Sequence, residues 1–126
     1  MKIAKNIILC CVLALTLTAF YGCGKKADEN KSVADVKAEA EKMSVEKLKS
    51  MAVTYQDAIT AKKADVDKLA SKLKDIPLTK LMGSEAKKLK AEVDELKTSV
   101  SALKERFDIY YNKLKEKGGD LSGLKL

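Results

Sequence analysis

The chain has 126 residues with 25 basic side chains against 18 acidic ones, a net charge of +7, one arginine, and neither histidine nor tryptophan. A cationic excess made almost wholly of lysine, with acids interleaved, lacks the arginine forks and stacking platforms by which proteins grip nucleic acid. Without histidine, and with carboxylates scattered among lysines, no nucleophile–base pair or metal-ligand spacing assembles. The sequence therefore predicts no catalytic residue, no metal site, no cofactor, no nucleic-acid partner and no small-molecule substrate.

The N-terminus reads as an export signal. Met1 to Asn6 carries Lys2 and Lys5 and no acid, and Ile7 to Phe20 follows as a 14-residue apolar run. That is short of the roughly 20 residues a membrane span needs and of the right length for the apolar part of a signal peptide. Cys10 and Cys11 sit inside the run as apolar residues and would leave with the cleaved peptide. Where the run gives way to charge stands Phe20-Tyr21-Gly22-Cys23-Gly24. This stretch resembles the lipobox of bacterial lipoproteins. The family usually carries Leu at the position of Phe20 and a small residue at that of Tyr21; Gly22 and Cys23 fit.

The resemblance implies a signal peptide over 1–22, cleavage between Gly22 and Cys23, and a lipid anchor on the Cys23 thiol with its fatty acyl chains, of the palmitate type. It also implies a bacterial cell membrane or outer membrane location, with the body facing the periplasm or the cell exterior. Gly24 replaces the aspartate that retains lipoproteins in the inner membrane of enteric bacteria, so the outer membrane is the expected destination. Two rivals remain: an ordinary secretory signal, whose small-residue spacing Phe20 spoils, and a membrane span.

After Cys23 the expected organisation is a solvated tether over 23–31, because GKKADENK holds no apolar residue larger than Ala27. A short helix over 32–43 follows. Ser32 is its cap and Asp35 stands in the capping-box position, with Val33, Val36, Ala40 and Met43 recurring at helical spacing. The phase fails at Ser44, so either a second helix is capped there or one helix rotates its buried face.

From Val45 the apolar residues recur in steps of 3 and 4: Val45, Leu48, Ala52, Tyr55, Ile59, Lys62, Val66, Leu69, Leu73 and Ile76. Pro77 stops the run. The same rhythm resumes at Ala86, Leu89, Val93, Leu96, Val100, Leu103, Phe107, Tyr110 and Leu114, and Gly118-Gly119 closes it. The expected fold is thus all-α: a long antiparallel coiled-coil helical hairpin over 44–117 with its turn at about 77–84, a rod about 50 Å long, preceded by the short helix. Opposed residues whose numbers sum to 162 bring small side chains against large ones; a shift of seven also keeps seam on seam. Met51, Val53, Ile109 and Tyr111 lie off the seam near the chain termini. Either the short helix folds back on them as a partial third helix, or a second copy docks there.

Five pairs three residues apart, Glu39/Lys42, Glu46/Lys49, Asp65/Lys68, Glu85/Lys88 and Asp94/Lys97, are placed to meet on the helix surfaces. Lys62 is the one charge well inside the seam, read as a snorkelling lysine or a register device. The tail, 118–126, is glycine-punctuated and reads as flexible, with Leu121, Leu124 and Leu126 available to fold over the open end. The turn carries Leu78, Leu81 and Met82, which either cap the last core layer or form a contact for a partner. The function expected from all this is a small lipid-anchored envelope protein acting as a spacer or docking adaptor. It would attach to the membrane through the diacylglycerol and work with a protein partner or a second copy. The alternative is a holdase-like helical binding module for envelope proteins.

Overall fold

The computed structural model describes residues 26–126, all helical or irregular, so the segment read as an export signal and Cys23 lie outside the described residues. Three α-helices follow one another: α1 (Val33–Lys42), α2 (Val45–Asp75) and α3 (Ser84–Glu116), with a 3-10 turn at Leu78–Lys80 before α3.

Local chemistry sets their ends. Ser32 is extended, and its hydroxyl oxygen accepts the Asp35 amide at 3.1 Å while its proton goes to the Asp35 carboxylate at 2.8 Å. This satisfies one of the free donors of the first turn. Met43 and Ser44 are both extended, with ψ 145 and 163, and Ser44 accepts the Lys47 amide, so the phase break separates two helices. Ile76 ends α2 in front of Pro77. Gly83 is the N-cap of α3; Ser84 is already helical, and the first turn has no side-chain cap. At the other end the Gly119 amide donates to the Leu114 carbonyl at 2.9 Å and the Gly118 amide to Lys115 at 3.0 Å. Gly118 has φ 71, the left-handed conformation this closure requires.

Helices α2 and α3 pack against each other, and α1 packs on α3. Burial along the repeating apolar positions is uneven. Leu48, Ala52, Tyr55 and Ile59 of α2, with Leu103, Phe107, Tyr110 and Leu114 of α3, are buried in one cluster that also takes Val36 and Ala40 of α1 and Leu124 of the tail. Towards the turn, Val66, Leu69, Leu73 and Ile76 are only half-buried, as are Leu89, Leu96 and Val100. Two helices bury one stripe each; a third element is needed to close a core, and α1 supplies it at one end only. Of the two ways open for covering the off-seam residues, the back-folded helix is the one found. Met51, Ile109 and Tyr111 are half-buried against the cluster, while Val53 stays 39% exposed.

Three expectations are corrected. The described part of the tether is docked rather than solvated: Ala27 packs against the core, and from Asp28 the chain is hydrogen-bonded onto α2 and α3. The tail is held rather than flexible: Gln56 donates to the Gly123 carbonyl at 3.0 Å and accepts the Lys125 amide at 2.9 Å, Lys49 pairs with Asp120, and Leu124 is buried. Of the five surface pairs, only Asp65/Lys68 forms, at 3.6 Å. Lys49 takes Asp120 and Glu39 takes Lys31, partners supplied by tertiary contact. A pair of exposed charges on one helix gains too little to hold two long side chains in place when another partner is nearer.

Candidate functional site

Two features stand out from the helical body: the segment 28–31 strapped across the middle of α2 and α3, and the turn at their far end.

The strap is positioned by three side chains, Tyr55, Arg106 and Lys62, in a role that no apolar periodicity reveals. Tyr55, a seam residue of α2, accepts the Asp28 amide at 3.1 Å and donates its hydroxyl proton to the Asp28 carbonyl at 3.2 Å. Arg106, on α3 and 7% exposed, donates from Nε to the Lys31 carbonyl at 2.8 Å, from Nη2 to the same oxygen, and from Nη1 to the Ala102 carbonyl at 2.6 Å. No described carboxylate forms an ion pair with this guanidinium, so carbonyl dipoles alone balance its burial.

Lys62 is the third. Its ammonium donates to the Glu29 carboxylate at 3.0 Å and to the Ser99 hydroxyl, and Ser99 in turn donates to Glu29. The seam lysine is therefore paired with an acid rather than snorkelling alone. A serine primed by a lysine base would give its proton to the lysine. Here the serine oxygen accepts from the ammonium and its proton points to the carboxylate, so the cluster is a clamp between strap, α2 and α3. Sequence reasoning missed Glu29, Ser99 and Arg106. The one available signal was that the only arginine lies off the seam, beside Phe107.

The turn resolves the three residues expected there into two groups. Leu81 is half-buried, with its amide on the Leu78 carbonyl at 3.4 Å. Leu78 and Met82 point into solvent, 86% and 79% exposed. Neither caps the last core layer, because the 3-10 turn after Pro77 swings both side chains off the helix pair. Among the described residues they are the most exposed large apolar side chains.

Electrostatic perturbation touches the strap at Lys31, whose hydrogen bond to Glu39 holds its ammonium above the ordinary range, and otherwise lies away from strap and turn. The Tyr110 hydroxyl is fully buried with no hydrogen-bond partner among the described residues, and burial pushes its pKa up to about 12. At the α1–α3 contact, the hydrogen bonds that Lys113 donates to Glu116 and then Glu41 hold its ammonium above the ordinary range, and Glu41 is lowered in return by Lys113. Hydrogen bonds from Lys49, then Ser122, hold the Asp120 carboxyl well below the usual carboxylate range. The last two sites are structural ties.

Gly22 and Cys23, the expected cleavage and lipidation residues, lie outside the described residues. Among those described, no group of three His, Cys, Asp or Glu side chains is placed to hold a metal ion, and no helix is long and apolar enough to cross a membrane. No protein-family model matches the chain, and no curated protein or solved structure is significantly similar to it.

Proposed function

We propose that the chain is a small lipid-anchored protein of the bacterial cell envelope, held by a diacylglycerol on Cys23, whose α2–α3 pair is an antiparallel coiled-coil hairpin acting as a non-enzymatic spacer or docking adaptor. The anchor reading rests on the signal-like N-terminus and the Gly22-Cys23 pair. The coiled-coil reading is supported by the sustained 3–4 spacing and by two cross-helix contacts. Lys62 touches Ser99, and the Tyr55 and Tyr110 rings lie 5.4 Å apart, so paired numbers total 161 and 165, near the expected register.

The observation that carries docking is the turn: Leu78 and Met82 are exposed at the end of a body whose other large apolar residues are mostly covered. An apolar surface kept in water at the tip of a structure is a binding surface in waiting. The strap alters the spacer geometry. Only residues 24–27 separate Cys23 from the first residue hydrogen-bonded to the helices, Asp28, a reach of at most about 18 Å between the two. The body then sits close to the anchoring surface.

Cys23→Ala tests the anchor. Intact mass and detergent-phase partitioning of the envelope protein should change to those of an unacylated or uncleaved product. The same mature mass and partitioning as the parent would refute the reading.

A further inference from the structure

We infer that the turn between α2 and α3 docks onto an anionic lipid bilayer, giving the protein a second membrane contact besides the lipid on Cys23. This rests on the anchor reading for the presence of a membrane, and names the partner of the docking tip.

Charge is the first argument. Residues 68–90 carry seven lysines against Asp75 and Glu85, a net +5, whereas the rest of 26–126 holds 15 basic and 16 acidic residues. The whole positive excess of the described body is therefore gathered at one end. Lys72, Lys74, Lys80, Lys87, Lys88 and Lys90 are all exposed, and none forms an ion pair with a described residue. Elsewhere the lysines are drawn into ties such as Lys49–Asp120 and Lys113–Glu41.

The second argument is what these lysines surround. Leu78 and Met82 project from the 3-10 turn, with Lys80 between them. Two apolar side chains ringed by flexible cations match the two layers of an anionic bilayer surface, headgroups outside and acyl chains below. They match a protein partner poorly. A stable protein interface buries about 800 Å² on each side with shaped contacts, and this tip offers two side chains on a convex turn. Lysine rather than arginine also suits a fluid array of headgroups, where a mobile point charge serves and a fixed fork is not required.

Reach is the third. The strap meets α2 at Tyr55 through Asp28 and at Lys62 through Glu29, twenty-one and fourteen residues before Ile76, so the tip lies about 21 to 32 Å along the helix from where the N-terminal segment docks. Residues 23–28 can extend about 18 Å, enough for the membrane that holds Cys23 also to meet the tip. The hairpin then leans along the surface instead of standing away from it.

The test places a fluorescent amino acid at Thr79 in the full chain, bound to phosphatidylcholine vesicles with or without phosphatidylglycerol, and reads quenching by brominated acyl chains. Quenching is expected with phosphatidylglycerol and lost in high salt. It should be absent on phosphatidylcholine alone, and absent for the same fluorophore at Ser122. Leu78→Ser with Met82→Ser should lower the inserted-to-free ratio of the tip more than tenfold. Lys72→Gln, Lys80→Gln and Lys87→Gln should each lower it about fivefold. All these side chains are exposed, so circular dichroism should show an unchanged helix content.

Equal quenching on both vesicles, or none on either, overturns the inference. So does a discrete protein adduct, in place of lipid, from a photocrosslinker at position 79 in cells, which would assign the tip to a protein. Intact mass of the same sample reports Cys23 separately: a lipidated protein with an unquenched tip refutes the tip alone, and a quenched tip on an unacylated chain refutes the anchor alone.

Discussion

Tyr55 and Tyr110 face each other in the core, 1% and 0% exposed, yet deleting the same oxygen from each should move stability in opposite directions. The Tyr55 hydroxyl makes two hydrogen bonds to the Asp28 backbone, one accepted and one donated. Each is worth about 1 kcal/mol net. Tyr55→Phe also leaves the Asp28 amide and carbonyl to find water, so the loss should be about 2 kcal/mol. The Tyr110 hydroxyl has no partner among the described residues, and burying it costs the fold about 1 to 3 kcal/mol that Tyr110→Phe recovers with no change in ring packing. The two variants should differ by about 3 kcal/mol or more, equivalent to at least 12 °C in Tm at about 4 to 8 °C per kcal/mol for a domain near 100 residues. Urea unfolding of the processed chain followed by circular dichroism measures both, at constant m-value. A neutral Tyr55→Phe would mean that the strap is not docked in solution. A destabilising Tyr110→Phe would mean that its hydroxyl is satisfied, and the account of that core layer would fail.

Alkaline pH should probe the same hydroxyl. The folded pKa of Tyr110 is raised to about 12 from an ordinary 10, so between these values the folded chain keeps a proton that the unfolded chain releases, and stability falls as the pH rises from 10 towards 12, by about 2 to 3 kcal/mol. Tyr110→Phe should flatten that part of the stability–pH curve; an unchanged slope would put the alkaline loss elsewhere. Lys62→Leu, which an unpaired seam lysine would make stabilising, should instead cost about 1 kcal/mol, and a double-mutant cycle with Glu29→Gln should return a coupling of that order. A coupling near zero would refute the clamp. Gly119→Ala would set its new methyl 2.1 Å from Leu114 Cδ1 and 2.9 Å from Val45 Cγ1, so the buried Leu114 must shift within the core, and stability should fall by about 1 to 3 kcal/mol in urea. A silent Gly119→Ala would mean that the end of α3 opens freely.

Periodicity and caps determined much of the architecture. The 3–4 rhythm of Val45 to Ile76 and Ala86 to Leu114 is a local property of helices that bury a stripe, so it marked both long helices and most of the core. Ser32, Pro77 and Gly118-Gly119 marked ends, because each acts on the backbone within a few residues of itself. Leu78, Leu81 and Met82 were legible as a group, but not their division into one tucked and two exposed side chains, which depends on how the 3-10 turn swings after Pro77.

What only the tertiary structure decided are contacts between polar groups far apart in sequence. Arg106 meets Lys31 across 75 residues and Ser99 meets Glu29 across 70, and neither leaves a trace in hydropathy. The tail from Asp120 to Leu126 carries three leucines that made folding back possible, but that Leu124 is buried and Gln56 ties its backbone is shown only by the structure. A hydrogen bond carries no periodic signature: whether a carbonyl is answered by solvent or by a guanidinium depends on which helix face it meets. The tether read from GKKADENK became a strap for that reason, since low hydrophobicity predicts that a segment cannot bury itself but says nothing of the donors another element brings to it.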